Sequence, residues 1–305
     1  MKTSNKILRL IKEWLLIPVR LNRLHESLGR IENRQLEPLL PFQINQAEFK
    51  VYSQWGEDGI IQHLLRHVPI QNKTFVEFGV ENYLEANTRF LLVNNNWSGL
   101  VLDGSVENIE YIKHDMNVFY AHNLKAERVF ITRDNINKVI INNGINGDIG
   151  ILSVDIDGND FWIWEAIDCI NPRIVICEYN SIFGSKAKVS TPYKKDFYRG
   201  DAHFSNVYYG ASISALSYLA DKKGYSLVAG NTSGNNVFFV RNDVCGDLRI
   251  LTPDQAYRKA KFKEGKNRNG ELTFADFESR QKTILDLDVV DVENMLTNKI
   301  KDFIK

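Results

Sequence analysis

The sequence predicts an α/β chain: a mostly parallel, Rossmann-like sheet flanked by helices, with an antiparallel last strand and an N-terminal helical extension. Three observations carry that expectation. Apolar runs of strand length alternate with stretches of helical spacing through the middle of the chain, the pattern of a doubly wound sheet. The run Phe75 to Phe78 passes through Gly79 into a helical pattern, and the next run, Ser98 to Ser105, carries Asp103, 24 residues after Gly79. Such a sheet sets a carboxylate against ribose hydroxyls at close to this spacing. Finally, Tyr225 to Ala229 and Asn236 to Val240 flank the turn residues 231–235 and read as an antiparallel pair.

Bulk composition agrees. A chain of 305 residues with 44% hydrophobic and 25% charged residues can bury a large core and reads as soluble and globular. Lys plus Arg and Asp plus Glu are both 38, so no overall field favours nucleic acid. Charge is uneven: residues 1–34 carry eight basic and three acidic side chains. Cys169, Cys177 and Cys245 are too scattered for a zinc site or a disulfide framework, which fits a reducing, cytoplasmic setting. The apolar run Trp14 to Val19 is far too short to span a bilayer, so membrane contact would be peripheral, at the inner face of the cytoplasmic membrane.

Residues 1–45 form the extension. Ile7, Leu10, Trp14, Ile17, Leu21, Leu24, Leu28 and Ile31 recur at alternating steps of three and four, the repeat of a coiled-coil seam, and Pro18 kinks the helix or starts a new one. This stripe admits three readings: self-association into a homo-oligomer, an amphipathic contact with an anionic membrane, or packing on the chain's own domain.

Residues 46–252 form the main domain. Glu57 and Asp58 open a helix that runs to His67, where acids suit the first turn. After the helix 86–93 and the Asp103 strand come a helix at 106–114, a short strand at 118–121 and a helix at 133–142. The strand Ile149 to Val154 then ends in Asp155, Asp157 and Asp160. Three carboxylates crowded at a strand end call for a cation between them; the plainer reading is a turn at Asp157-Gly158, with Asp160 capping the helix 161–167. The strand Arg173 to Cys177 ends in Glu178 and Asn180, beside Asp155 in a parallel sheet, so that the three would converge on one ion. The loop 181–209 is too long to be only a connector. It holds His203, which is either a titrating base or an ordinary surface histidine. Residues 253–305 are expected to be a helical segment packed on the main domain. Their basic start, Arg258 to Arg268, is either a solvated face or a phosphate contact.

This order of elements resembles the class I S-adenosylmethionine-dependent methyltransferases. Ser53-Gln54 with Gly56-Glu57-Asp58, Phe75 to Gly79, Glu85 with Asn87-Thr88, and Ser153 to Asp160 resemble the FkbM-type sugar methyltransferases of surface-polysaccharide synthesis. So do Tyr209 to Ser212, Gly224 to Val228 and Gly234 to Arg241. The likeness covers roughly residues 47 to 290. One departure is that the loop after the first strand, Gly79-Val80-Glu81-Asn82, has a single glycine. The resemblance implies Gln54, Glu77, Gly79, Asn87, Thr88 and Asp103 as contacts for S-adenosylmethionine. It implies a divalent ion, Mg2+ or Mn2+, on Asp155, Glu178 and Asn180.

The expected activity is methyl transfer to a hydroxyl of a sugar or glycan precursor, with Asp155, Asp157 and His203 at the reaction centre. Asp157 or His203 would take the proton. An alternative stays open: Asp155-Ile156-Asp157 has the form of the acid pair of a metal-dependent glycosyltransferase acting on a nucleotide-sugar. A third reading is a non-catalytic scaffold working through the N-terminal helix.

Overall fold

The computed structural model describes residues 12–115 and 117–304. At its centre are seven strands: β1 (Thr74–Phe78), β2 (Ser98–Asp103), β3 (Leu124–Arg128), β4 (Gly147–Val154), β5 (Ile170–Glu178), and the pair β7 (Tyr225–Gly230) and β8 (Asn236–Arg241). Their spatial order is β3-β2-β1-β4-β5-β8-β7, with β1 to β5 parallel and β8 antiparallel to both neighbours. The chain runs outward from β1 to β3 and returns to place β4 beside β1. The order therefore reverses between β1 and β4, where a crevice opens at the strands' carboxyl ends.

The central strands are mostly apolar because both faces are covered. Val76, Phe78, Leu100 and Leu102 pack on one side with α5 (Ile136–Asn142), α6 (Asp160–Ala166) and α8 (Ile213–Lys223). Phe75, Val101, Ile151 and Ile174 pack on the other with α2 (Glu57–His67), α3 (Arg89–Asn95) and α4 (Val106–His114). Local signals set the helix ends. Ser105 and Ser212 cap α4 and α8 by accepting from the backbone of Asn108 and Ala215, and Gly224 closes α8 in the left-handed region at φ +82°.

Several expectations need correction. The strand expected at 118–121 is a turn, and β3 follows it. Tyr120 is exposed, whereas Leu124–Arg128 is an edge strand paired only with β2 and therefore lacks an apolar run. The basic stretch 258–268 is not helical. Helix α9 (Pro253–Ala256) ends before it, and α10 (Phe277–Ile284) follows only after an extended passage. A second sheet, β10-β9-β6, ties the end of the chain to the long loop: β6 (Val189–Ser190) pairs with β9 (Asp288–Asp291), which pairs with β10 (Leu296–Lys299). Strands this short carry no periodic signature in sequence.

Helix α1 (Ile17–Gln35) starts with Pro18 in its first turn, where a missing N–H is tolerated. Its apolar stripe does not pack on the domain, since Leu21, Leu24, Leu28 and Ile31 are all exposed. The expected positions Ile7 and Leu10 lie outside the described residues. No described helix is long and apolar enough to cross a membrane.

Glu57 and Asp58 do more than favour a helix start. Asp58 Oδ2 accepts from the backbone N–H groups of Val51, Tyr52 and Ser53 at 2.7–2.8 Å and from Ser53 Oγ at 2.9 Å, all buried. The segment ahead of α2 thus finds its backbone partners in one carboxylate. Asp58→Asn keeps the shape but weakens these charge-assisted bonds. It is expected to cost about 2 kcal/mol, lowering the melting temperature by roughly 4–8 °C in calorimetry.

Candidate active site

The crevice is built at the ends of β1 and β4. Gly79 follows β1 at φ +65°, its N–H donating to Leu102 O at 3.0 Å. A Cβ there would stand 1.8 Å from the carbonyl oxygen of Asp155, so the ends of β1 and β4 meet at van der Waals distance only because the residue is glycine. The rest of the loop to Thr88 is held by acids rather than by further glycines. Glu81 N donates to Asp103 Oδ2 at 2.9 Å, while Asn87 N and Thr88 N donate to Glu77 at 2.8 and 3.0 Å. Glu81 and Tyr83 take left-handed backbone angles to complete the turn. Burial pushes the Glu77 carboxyl up, and the hydrogen bonds from Thr88 and Asn87 pull it back.

Two adjoining cavities open here. The first, of about 380 Å³, is lined by Gln54, Trp55, Glu77, Gly79, Asn87, Asp155, Asp157, Glu178, Arg199, Phe262 and Glu264, among others. The second, of about 430 Å³, runs over the ends of β2 and β3, with Asp103, Phe130, Tyr198 and Lys266 in its wall. They share Gly79, Glu81, Asp155, Asp157 and Arg199. Asp103 takes Ser105 N at 2.8 Å and Asn108 Nδ2 at 3.1 Å on its other oxygen. Each carboxylate oxygen carries two acceptor sites, so Asp103 keeps capacity for a ligand.

Asp155, Asp157 and Glu178 each offer an oxygen within 4.8 Å of the others. Glu178 is buried, and its Oε2 has no hydrogen-bond partner among the described residues. Burial raises the Asp155 and Glu178 carboxyls well above the ordinary carboxylate range, and their repulsion of each other and of Asp157 and Asp160 adds to it. Asp160 is the clamp of this turn. It is fully buried and accepts from Ile156 N and Gly158 N at 2.8 and 2.9 Å, with burial lifting it to about 6.

Among the described residues lining the first cavity, one cation faces these acids. Arg199, on the single turn α7 (Arg199–Ala202), donates to Asp157 Oδ1 at 2.8 Å, to Asn206 O at 2.6 Å and to Glu264. Its guanidinium lies 3.8 Å from the centre of the Tyr209 ring. Among the described residues that line the first cavity, four carboxyl groups, Asp155, Asp157, Glu178 and Glu264, face one guanidinium. Oxygen donors in excess of local positive charge suit a hard divalent cation.

Of the residues picked out by sequence, Gln54, Glu77, Gly79, Asn87, Asp103, Asp155, Asp157 and Glu178 line this cleft. Three do not. Asn180 lines neither cavity and has its side chain turned to the long loop: it donates to Val207 O and Tyr209 O and accepts from Ile182 N. Asp157 stands in the place it was expected to fill. His203 lines neither cavity, pairs with Ser205 Oγ at 2.7 Å and lies against Phe204 with the two rings tilted by 45°, and burial lowers its pKa. Thr88 is fully buried behind Glu77 and bonds to it.

Arg199 and Glu264 escaped the sequence reading. Arg199 lies in the loop already judged too long to be a connector. Glu264 lies inside the basic run, where the eye follows the lysines. Trp55 and Phe262 were missed too; they stack at 6.0 Å with 15° between ring planes at the wall of the first cavity.

Neither a family model nor a curated protein matches the sequence. Among solved structures the chain is similar to the N-terminal domain of EvdMO1 with SAH bound, at 13% identity over 73% of this chain and 96% of that one, with a TM-score of 0.40. It is also similar to a Staphylococcus aureus protein described as a caffeoyl-CoA O-methyltransferase, at 11% identity over 76% and 99%, TM-score 0.40. A Klebsiella pneumoniae protein described as an O-methyltransferase matches at 11% over 71% and 90%, TM-score 0.40. Likeness at that level carries no argument about chemistry, which rests on this chain's own side chains.

Proposed function

We propose that this chain transfers a methyl group from S-adenosylmethionine to a hydroxyl of a sugar unit. The observation that carries the reading is the joining of two cavities at Gly79, one over a carboxylate at the end of β2 and the other over the acid cluster at the ends of β4 and β5. A nucleoside-sized group suits the second cavity: Asp103 accepts from ribose hydroxyls, and Phe130 and Tyr198 supply apolar surface for a base. Its reactive end then points across Gly79 toward Asp155.

The acceptor would lie in the acid-lined cavity. Carboxylates accept from hydroxyls, and the stacked faces of Trp55 and Phe262 suit the C–H side of a sugar ring. Asp155 and Glu178 border this cavity, and burial with mutual repulsion raises the affinity of both carboxylates for a proton. The hydroxyl proton passes to the carboxylate, the oxygen forms a bond to the methyl carbon, and the sulfur–methyl bond breaks to leave a neutral thioether. Arg199 keeps Asp157 oriented at the boundary between the cavities. Asp155, Asp157 and Glu178 would hold a divalent ion such as Mg2+ or Mn2+, which supplies acidification of the hydroxyl when bound.

Calorimetric titration with S-adenosylhomocysteine tests the reading. Binding is expected for the wild type. Asp103→Ala is expected to weaken it by about 10- to 100-fold, the worth of a charge-assisted pair of hydrogen bonds, while the protein stays folded by circular dichroism. No binding by the wild type, together with hydrolysis of a nucleotide-sugar, would replace this function with glycosyl transfer at the same acids.

A further inference from the structure

We propose that the outward face of α1 is the seam of a two-stranded coiled coil formed with a second copy of this chain. The helix lies on its own domain by its polar side. Asn22 and Glu26 meet Tyr52 Oη at 3.1 and 2.9 Å, and Asn33 bonds to Gln62 and Arg66. Gly29 comes so close that a Cβ there would stand 2.4 Å from Val51 Cγ2. Glycine inside a helix costs about 1 kcal/mol relative to alanine, and this approach is what requires it. The orientation of α1 is therefore built in.

The apolar side chains face the other way. Ile17, Leu21, Leu24, Leu28 and Ile31 are 42–59% exposed, and Trp14 just before them is 76% exposed. At about 100° per residue the seam and the docked face are roughly 150° apart. No rotation of the helix buries the stripe on its own domain while keeping the Tyr52 and Gln62 contacts.

The width of the stripe identifies the occupant. From Ile17 to Ile31 it holds two residues per heptad and is flanked by Arg20, Ser27 and Arg34 on one side and His25 and Glu32 on the other; Leu15 and Leu16 are exposed only ahead of it, beside Trp14. A narrow seam bordered by charges of both signs fits another helix of the same repeat. An interfacial membrane helix instead needs a broad apolar half ringed by bases. Covering Trp14 to Ile31 removes on the order of 600 Å² of surface per copy, so a pair reaches the roughly 1,200 Å² of a stable specific interface. The sequence continues the same spacing through Leu10 and Ile7. Since the docked and seam faces are nearly opposite, the two domains lie on the outside of the pair.

Sedimentation equilibrium of the full chain under reducing conditions tests the proposal independently of any activity. The wild type is expected at twice 35.1 kDa at micromolar concentration, and the double variant Leu24→Glu, Leu28→Glu at the monomer mass with its circular dichroism retained. The milder pair Leu24→Ser, Leu28→Ser serves if the charged pair fails to fold. A monomeric wild type overturns the proposal, as does a serine variant that stays dimeric. A monomeric wild type that floats with phosphatidylglycerol vesicles would hand the stripe to a lipid surface instead.

Discussion

Gly79→Ala is expected to produce the largest loss of stability and, under the proposed function, to abolish binding of S-adenosylhomocysteine. Two costs combine. An alanine at φ +65° pays about 1–2 kcal/mol for the left-handed backbone. The added carbon also meets the Asp155 carbonyl oxygen at 1.8 Å, a backbone atom directly after the central strand β4 that cannot swing aside. The ends of β1 and β4 must part, and the total is expected to be about 4 kcal/mol or more, near the upper end for a single substitution. Gly147 provides the control. It has the same φ of +65° with nothing within 4 Å of its would-be Cβ, so Gly147→Ala should show the backbone cost alone. Thermal melts of the two variants separate strain from collision. If they melt together, the close approach at Gly79 is not what holds the cleft's shape.

Under the proposed function, Glu178→Gln is expected to abolish transfer while strengthening the fold. Loss of a proton acceptor or ion ligand at the reaction centre is worth about 100-fold or more in turnover. The stability effect has the opposite sign and depends on pH. Burial, and then repulsion from Asp155, raise the Glu178 carboxyl above its unfolded value. The folded state therefore holds protons that the unfolded chain releases. Stability from this source is full below the ordinary glutamate value of about 4.3 and is lost as pH rises through the folded value. The neutral amide removes that dependence. Wild type and Glu178→Gln should melt alike at acid pH, and the variant should melt several degrees higher at alkaline pH. Mn2+ should raise the melting temperature of the wild type and leave the variant unmoved, since only the former gains by binding. A variant that melts lower than the wild type at every pH would mean that Glu178 is held by contacts rather than crowded by neighbours.

The parts of this molecule that could be read from sequence are those with a period or a spacing. Strands covered on both faces announce themselves as apolar runs, and the acids at their ends follow as the next residues along, which is why Asp103, Asp155 and Glu178 were within reach. The edge strand Leu124–Arg128, paired on one side only, has no such run, and the neighbouring turn with its Val118 and Phe119 drew the assignment instead. Side-chain commitment is invisible to spacing. Nothing in the order Glu178-Tyr179-Asn180 tells that the asparagine turns into the long loop, or that Arg199 comes back from that loop to face the acids. A histidine in a polar loop, such as His203, reads as a candidate base from sequence alone, whereas in the fold its ring meets Ser205 and Phe204.

The loop from Gly79 to Thr88 has a consequence beyond its shape. Its amides are already fastened to Glu77 and Asp103, and Tyr83 Oη and Thr88 Oγ1 sit 2.9 Å apart in its interior. The conformational entropy of this wall is therefore surrendered when the chain folds, not when a ligand arrives. Association should be a simple encounter with a ready-made surface, with rates that follow ligand concentration linearly and show no saturating, slow rearrangement. Flexible glycine-rich walls reach their bound form afterwards; this one begins there.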